Sequence, residues 1–231
     1  MADSSRLKKR RDTSRRPVAL QGIAAELSRK GADHEAIAAR AIRSPAVLEE
    51  ALEGLGAKPA PVKFGSLKVL RLVAERAPEV LVPKIDAFVD LLGSENSIMK
   101  WGALLILGEL AGAAGKPRIE AILDRLLAPI PGPEMIAAAN AIGAGAKAAR
   151  AHPALAGRIL EEILKVEGAS YKTAECRNVA IGQALASLEG ILDILPAKEP
   201  VLDFARRQLK NTRSATRKKA ERLLKSVDSL S

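Results

Sequence analysis

The chain has 231 residues, of which 48% are hydrophobic but only 2% aromatic, and it carries a formal net charge of +10. A core of that make-up is assembled from Ala, Leu, Ile and Val, and Ala and Leu favour helices, so the composition predicts an all-α protein with close helix–helix contacts. The single cysteine, Cys176, excludes an intrachain disulfide and fits a reducing, cytoplasmic setting, and no secretory leader or membrane span is expected because no long apolar run is present.

Residues 1–16 hold seven basic and two acidic residues and almost nothing apolar. Such a stretch buries too little surface to offset its ordering entropy, so it is expected to be a disordered basic arm. Its basic run at residues 8–11 reads either as a solubilising tail or as a contact for nucleic acid or another anionic surface. Residues 17–231 are expected to form one solenoid domain. Its first part, residues 17–43, reads as a helix pair: Pro17 suits a first turn, Val18, Ile23 and Leu27 share a face, Gly31 ends the helix, and Asp33 caps the next.

Five further helix pairs follow, at residues 45–77, 78–115, 116–152, 153–195 and 196–228. Within them the 3.6-type apolar spacing predicts helices over residues 62–76, 78–92, 98–111, 116–127, 134–149, 153–166, 174–188, 200–209 and 215–227. Gly, Pro, Ser and Asn clusters separate them. Second helices open on a shared pattern of a basic residue followed three positions later by a small one. It occurs at Lys63 and Ser66, Lys100 and Ala103, Arg177 and Ala180, and Arg217 and Ala220. Ala138 keeps the small position in the third unit, where Met135 replaces the basic residue. The small positions are 37, 35, 42 and 40 residues apart, a period in the range of helical-pair repeats. A close crossing between paired helices leaves room only for a short side chain.

Val62-Lys63-x-x-Ser66-x-x-x-Leu70 and Ser94-Glu95-Asn96-x-x-x-Lys100-x-x-Ala103-x-x-x-Leu107-Gly108 resemble HEAT repeats, and the resemblance covers about residues 45–227. It implies a right-handed α-α superhelix of HEAT/ARM type, with second helices lining a concave binding face. It also implies that Lys63, Lys100, Arg177 and Arg217 join a polar ladder between units, interrupted at Met135. The function it implies is non-enzymatic: a scaffold holding a protein or peptide partner. Lys63, Lys100, Asn140, Arg177 and Asn178 are the candidate contacts on the concave face.

Few residues suggest chemistry. His34 and His152 stand apart and no metal-binding spacing occurs, so no metal or cofactor is expected. A Cys176 nucleophile would need His152 as its base; a small buried core cysteine is the plainer account. The glycines at 108, 112, 143 and 145 fit close helix packing better than a phosphate loop. Trp101 takes the place of Phe64 in the preceding unit and reads as packing or as an exposed anchor. Tyr171 reads as a loop residue or a ligand contact.

Residues 206–225 hold nine basic residues and one acidic, which leaves the rest of the chain outside the two basic ends slightly acidic. Arg206, Lys210, Arg213, Arg217 and Lys218 form a candidate basic patch. It suits a polar terminal cap, a partner with acidic features, or a nucleic-acid backbone, the last making nucleic-acid binding the alternative function. A DNA glycosylase-like enzyme, for which only Trp101 with Glu109 would serve, is the remote one.

Overall fold

The computed structural model describes residues 21–228. The expected basic arm at residues 1–16, together with Pro17, Val18 and the side chain of Val227, lies outside the described residues. Twelve α-helices and no strand occur among those described: α1 (Gly22–Leu27), α2 (His34–Arg43), α3 (Pro45–Gly54), α4 (Ala60–Arg76), α5 (Ile85–Leu91), α6 (Ser97–Leu110), α7 (Lys116–Leu127), α8 (Met135–Ala151), α9 (Ala156–Leu164), α10 (Ala174–Glu189), α11 (Glu199–Gln208) and α12 (Ser214–Asp228).

Local chemistry sets most of these boundaries. The Asp33 side chain accepts from the Ala36 N–H at 3.0 Å, and Asn96 accepts from Ile98 and Met99. Thr173 accepts from Cys176 at 3.1 Å. Each satisfies donors that a helix start leaves open. Pro45, Pro61, Pro117 and Pro200 sit in first turns, where a missing N–H costs nothing. Gly31, at φ +78°, closes the turn between α1 and α2.

Two expected helices are shorter than the apolar spacing suggests. Residues 78–84 form two tight 3-10 turns, and α5 starts only at Ile85. Pro83 lacks the N–H that a continuous helix needs and crowds the preceding turn. Likewise Pro153–Leu155 is a 3-10 turn before α9. Of the first two helices, α1 packs mainly against α3 and α4, and its Glu26 carboxylate accepts from both terminal nitrogens of Arg40 on α2.

The helices form two layers. α2, α4, α6, α8, α10 and α12 stack in order, each packing extensively on the next. α5, α7 and α9 lie behind them and barely touch one another. A stack whose one layer is tighter than the other bends toward the tight layer, so the even-numbered helices line the inner side.

Small side chains make that tightness possible. Ser66, Ala103, Ala138, Ala180 and Ala220, the repeated small positions, are all fully buried. A Cβ on Gly108 would stand 3.0 Å from Ala144 Cα, so the α6 and α8 backbones approach closely there. A Cβ on Gly182 would stand 3.0 Å from Thr216 Oγ1, between α10 and α12.

Ion pairs join units about one period apart. Lys100 reaches Glu134 at 2.9 Å, and Arg150 reaches Asp193 at 2.7 Å. Arg207 reaches Glu167 at 2.8 Å, and Arg213 reaches Glu175 at the same distance. Arg222 grips both oxygens of Glu189. Exposed pairs of this kind contribute little singly, but they tie neighbouring units together in one register. The ladder implied by the repeat resemblance is realised between units by Lys100 alone. Arg217 instead donates to the carbonyls of Asn211 and Thr212 within its own unit. Lys63 and Arg177 make no ion pair among the described residues.

Candidate functional site

The inner face carries an apolar stripe that the core does not cover. On α6, Ile98, Trp101 and Leu105 fall on one side at helical spacing. Ile98 is 48% exposed, and Trp101 and Leu105 are half-buried. On α8, Ile136 is 43% exposed, and half-buried Ala139 and Asn140 follow it. On α10, Cys176 and Val179 continue the stripe and Gln183 ends it. Large apolar side chains exposed on two adjacent helices, α6 and α8, and continued by half-buried ones on α10, form a contiguous apolar patch of the kind that marks an interaction surface.

Two depressions indent this surface. One, of about 320 Å³, opens among Trp101, Pro133, Met135, Ile136, Lys172 and Cys176. The other, of about 160 Å³, lies among Leu105, Asn140, Gly143, Lys147 and Gln183. Both have room for side chains and neither for a helix. A larger depression of about 460 Å³ lies beside Gln21, where the described chain begins. There the Glu50 carboxylate already accepts from the Ile23 N–H at 2.8 Å.

The rim of the first depression is polar and organised. Glu134 accepts from Lys100 Nζ at 2.9 Å and from Ser97 Oγ at 3.2 Å. The Lys100 hydrogen bond is the main reason its carboxyl lies below the usual range. The Trp101 indole N–H, close to that carboxylate yet shielded from water, has no hydrogen-bond partner of good geometry. Trp101 therefore packs against the core, as Phe64 does one unit earlier, and also presents its ring to the depression.

Of the expected concave-face residues, Lys100 is engaged with Glu134, and Asn140 lies in the second depression, its amide without a hydrogen bond among the described residues. Arg177 is exposed at the start of α10 and Lys63 is half-buried near the start of α4. Asn178 is committed to structure: it donates to Thr212 Oγ1 at 2.9 Å, accepts from Asn211 at 3.1 Å, and its carbonyl accepts from Thr216. In the basic patch, Arg206 is held by Glu199 and Asp203, Arg213 by Glu175 and Arg217 by backbone carbonyls. Lys210 and Lys218 are exposed and unpaired among the described residues.

The other chemically suggestive residues do not converge. Cys176 is half-buried at the start of α10 rather than fully buried in a crossing. It borders Met135 at the start of α8, whereas His152 follows the far end of that helix, about 25 Å away along its axis. His152 Nε2 is bonded instead to the Ala111 carbonyl at 2.9 Å. Glu109 lies two turns along α6 from Trp101, about 12 Å, and is paired with Lys147. No group of three or more metal-ligating side chains occurs among the described residues, and no described helix is long and apolar enough to cross a membrane.

Tyr171 has a structural task. Its hydroxyl donates to the Ile130 carbonyl, and the Ser170 N–H donates to Pro131 O at 3.1 Å, stapling the α9–α10 loop to the α7–α8 loop. Burial pushes the phenol up to about 12. The proton is thus held more tightly in the folded chain than in the unfolded one. The corresponding stability is present below about pH 10 and is lost as pH rises toward 12. Because Tyr171 is the only tyrosine, an ultraviolet titration should show tyrosinate appearing near pH 12, or abruptly at alkaline unfolding. A midpoint at 10 in the folded protein would contradict the staple.

No protein-family model matches the chain, and no curated protein does. Solved structures similar to it include engineered and designed proteins. One engineered protein is 16% identical with a TM-score of 0.53, over 90% of this chain and 97% of that one. Another is 18% identical with a TM-score of 0.51, over 90% and 95%. A designed armadillo repeat protein in complex with the peptide (KR)4 is 12% identical with a TM-score of 0.51, over 88% and 97%. At these identities the likeness concerns the fold: this chain is an all-α, armadillo/HEAT-like solenoid.

Proposed function

We propose that the protein is a non-enzymatic scaffold that binds an extended segment of a protein or peptide along its inner face. Its main support is the uncovered apolar stripe of Ile98, Trp101, Leu105 and Ile136, indented by two depressions of side-chain size. Asn140 adds, in the second of them, an amide without a partner among the described residues, able to bond the main chain of an extended segment. The peptide held by the designed armadillo neighbour is a precedent for the architecture.

Nucleic-acid binding through the C-terminal unit has less support. Arg206, Arg207, Arg213 and Arg222 are each held by carboxylates, which leaves mainly exposed Lys210 and Lys218 and half-buried Lys219 to meet a phosphate backbone.

Selection from a random peptide library tests the proposal. Peptides retained by the wild-type protein should lose at least tenfold in affinity to Trp101→Ala and to Ile136→Asp, in the range of a central interface anchor. Circular dichroism should report unchanged helicity for the Ile136→Asp variant, whose side chain lies outside the core. Failure to enrich any peptide, or equal binding by Ile136→Asp, would contradict the proposed face.

A further inference from the structure

The inner face has an asymmetry of charge that the apolar stripe does not explain. Lys219 projects from α12 toward α10 and lies over Gly182, where an added Cβ would stand 3.8 Å from its Nζ. It is half-buried. The two arginines nearest it in the field are already satisfied, Arg213 by Glu175 and Arg222 by Glu189. Lys219 itself has neither an ion pair nor a hydrogen bond among the described residues. Burial first, and then the charges of Arg222 and Arg213, hold its amine below the usual lysine range. A half-buried cation beside two others destabilises the free protein slightly, and an incoming carboxylate would relieve that cost.

Resting on the proposed peptide-binding face, we infer that the bound segment carries an acidic side chain that pairs with Lys219, about five residues from the apolar side chain seated beside Trp101 and Ile136. The spacing follows from the stack. From the first depression, centred on α8, to the α10–α12 seam is about one and a half helix spacings, or roughly 13 Å. Along α10, Cys176 borders that depression and Gly182 lies six residues further on, about 9 Å. The combined distance is about 16 Å, and an extended chain covers about 3.3 Å per residue. Gln183 lies beside this path and offers polar atoms to the main chain in between.

The test is an array of 14-residue Gly/Ser peptides, each with one Leu and one Glu at separations from two to nine. Matched sets carry Gln or Lys in place of Glu, and the array is probed with wild-type protein, Lys219→Met and Lys219→Glu. Wild type should bind best with Glu four to six residues from Leu, about tenfold above the Gln set, as for a partly desolvated charge pair. Lys219→Met should abolish that preference, and Lys219→Glu should transfer it to the Lys set. Lys219 is not part of the core, so circular dichroism of both variants should match wild type. Equal binding of the Glu, Gln and Lys sets would overturn the acidic specificity and leave the binding face standing. Binding of no peptide at all would overturn both. Equal binding of the three peptide sets together with direct binding of a short DNA duplex by wild type but not by Lys219→Glu would assign Lys219 to nucleic acid instead.

Discussion

Replacing Gly108 by leucine should cost about 3 kcal/mol of folding stability, the upper end of what overpacking a tight interior costs. Removing a mid-helix glycine would by itself stabilise α6 by about 0.8 kcal/mol, so the sign of the result decides whether packing or propensity governs the site. Packing should prevail because the obstacle is main chain. A Cβ at 108 would stand 3.0 Å from Ala144 Cα and 3.2 Å from its Cβ. Neither atom can rotate away, so α6 and α8 must separate. In a stacked array each unit is stabilised chiefly by its neighbours, and a wedge between two inner helices weakens the coupling across that seam. Chemical denaturation should therefore show a lower midpoint, with a shallower slope if the two halves uncouple. Gly112→Ala is the control, since nothing lies within 4 Å of a Cβ there, and it should change stability by less than about 0.5 kcal/mol. A Gly108→Leu protein as stable as wild type would refute the close approach of the inner helices.

Gly132→Ala should cost about 2–3 kcal/mol for a different reason. Gly132 has φ +109°, a region in which a side chain is strained by about 1–3 kcal/mol. Its missing side chain also leaves space for the neighbouring loop, since a Cβ would lie 2.5 Å from the Ser170 carbonyl oxygen. Substitution thus strains the α7–α8 loop and pushes off the loop stapled to it by Ser170 and Tyr171. Two readouts should move together: the denaturation midpoint falls, and the Tyr171 titration shifts down from about 12 toward the ordinary tyrosine value of about 10. An unchanged midpoint and an unchanged titration would show that the loop tolerates the side chain.

Much of the architecture is legible in the chain because it depends on local rules. Asp33, Asn96 and Thr173 cap the helices that follow them. The small positions from Ser66 to Ala220 all fall at buried crossings. Pro83 shows where periodicity misleads: Val80, Val82, Ile85 and Val89 keep an apolar rhythm, but the proline breaks the hydrogen-bond ladder beneath it.

The functional surface is less legible, because its residues meet only through stacking. Ile136 carries no distinguishing signal beside Met135 in the sequence, yet it joins Trp101, 35 residues earlier, at one depression. The basic segment misled in the opposite sense. Read within a window of 20 residues, residues 206–225 are almost entirely positive. Arg207, Arg213 and Arg222 find their counterions about one repeat back, at Glu167, Glu175 and Glu189, 40, 38 and 33 residues away. Charge along a solenoid has to be counted across neighbouring repeats; that count leaves Lys210, Lys218 and Lys219 without a carboxylate among the described residues, and of these three only Lys219 is half-buried.

The most direct measurement is backbone hydrogen exchange with and without a peptide selected on the wild-type protein. Binding on the inner face predicts added protection confined to α6, α8, α10 and the first turns of α12, with α7, α9 and α11 unchanged. Protection concentrated on those outer helices, or spread evenly through the chain, would contradict it.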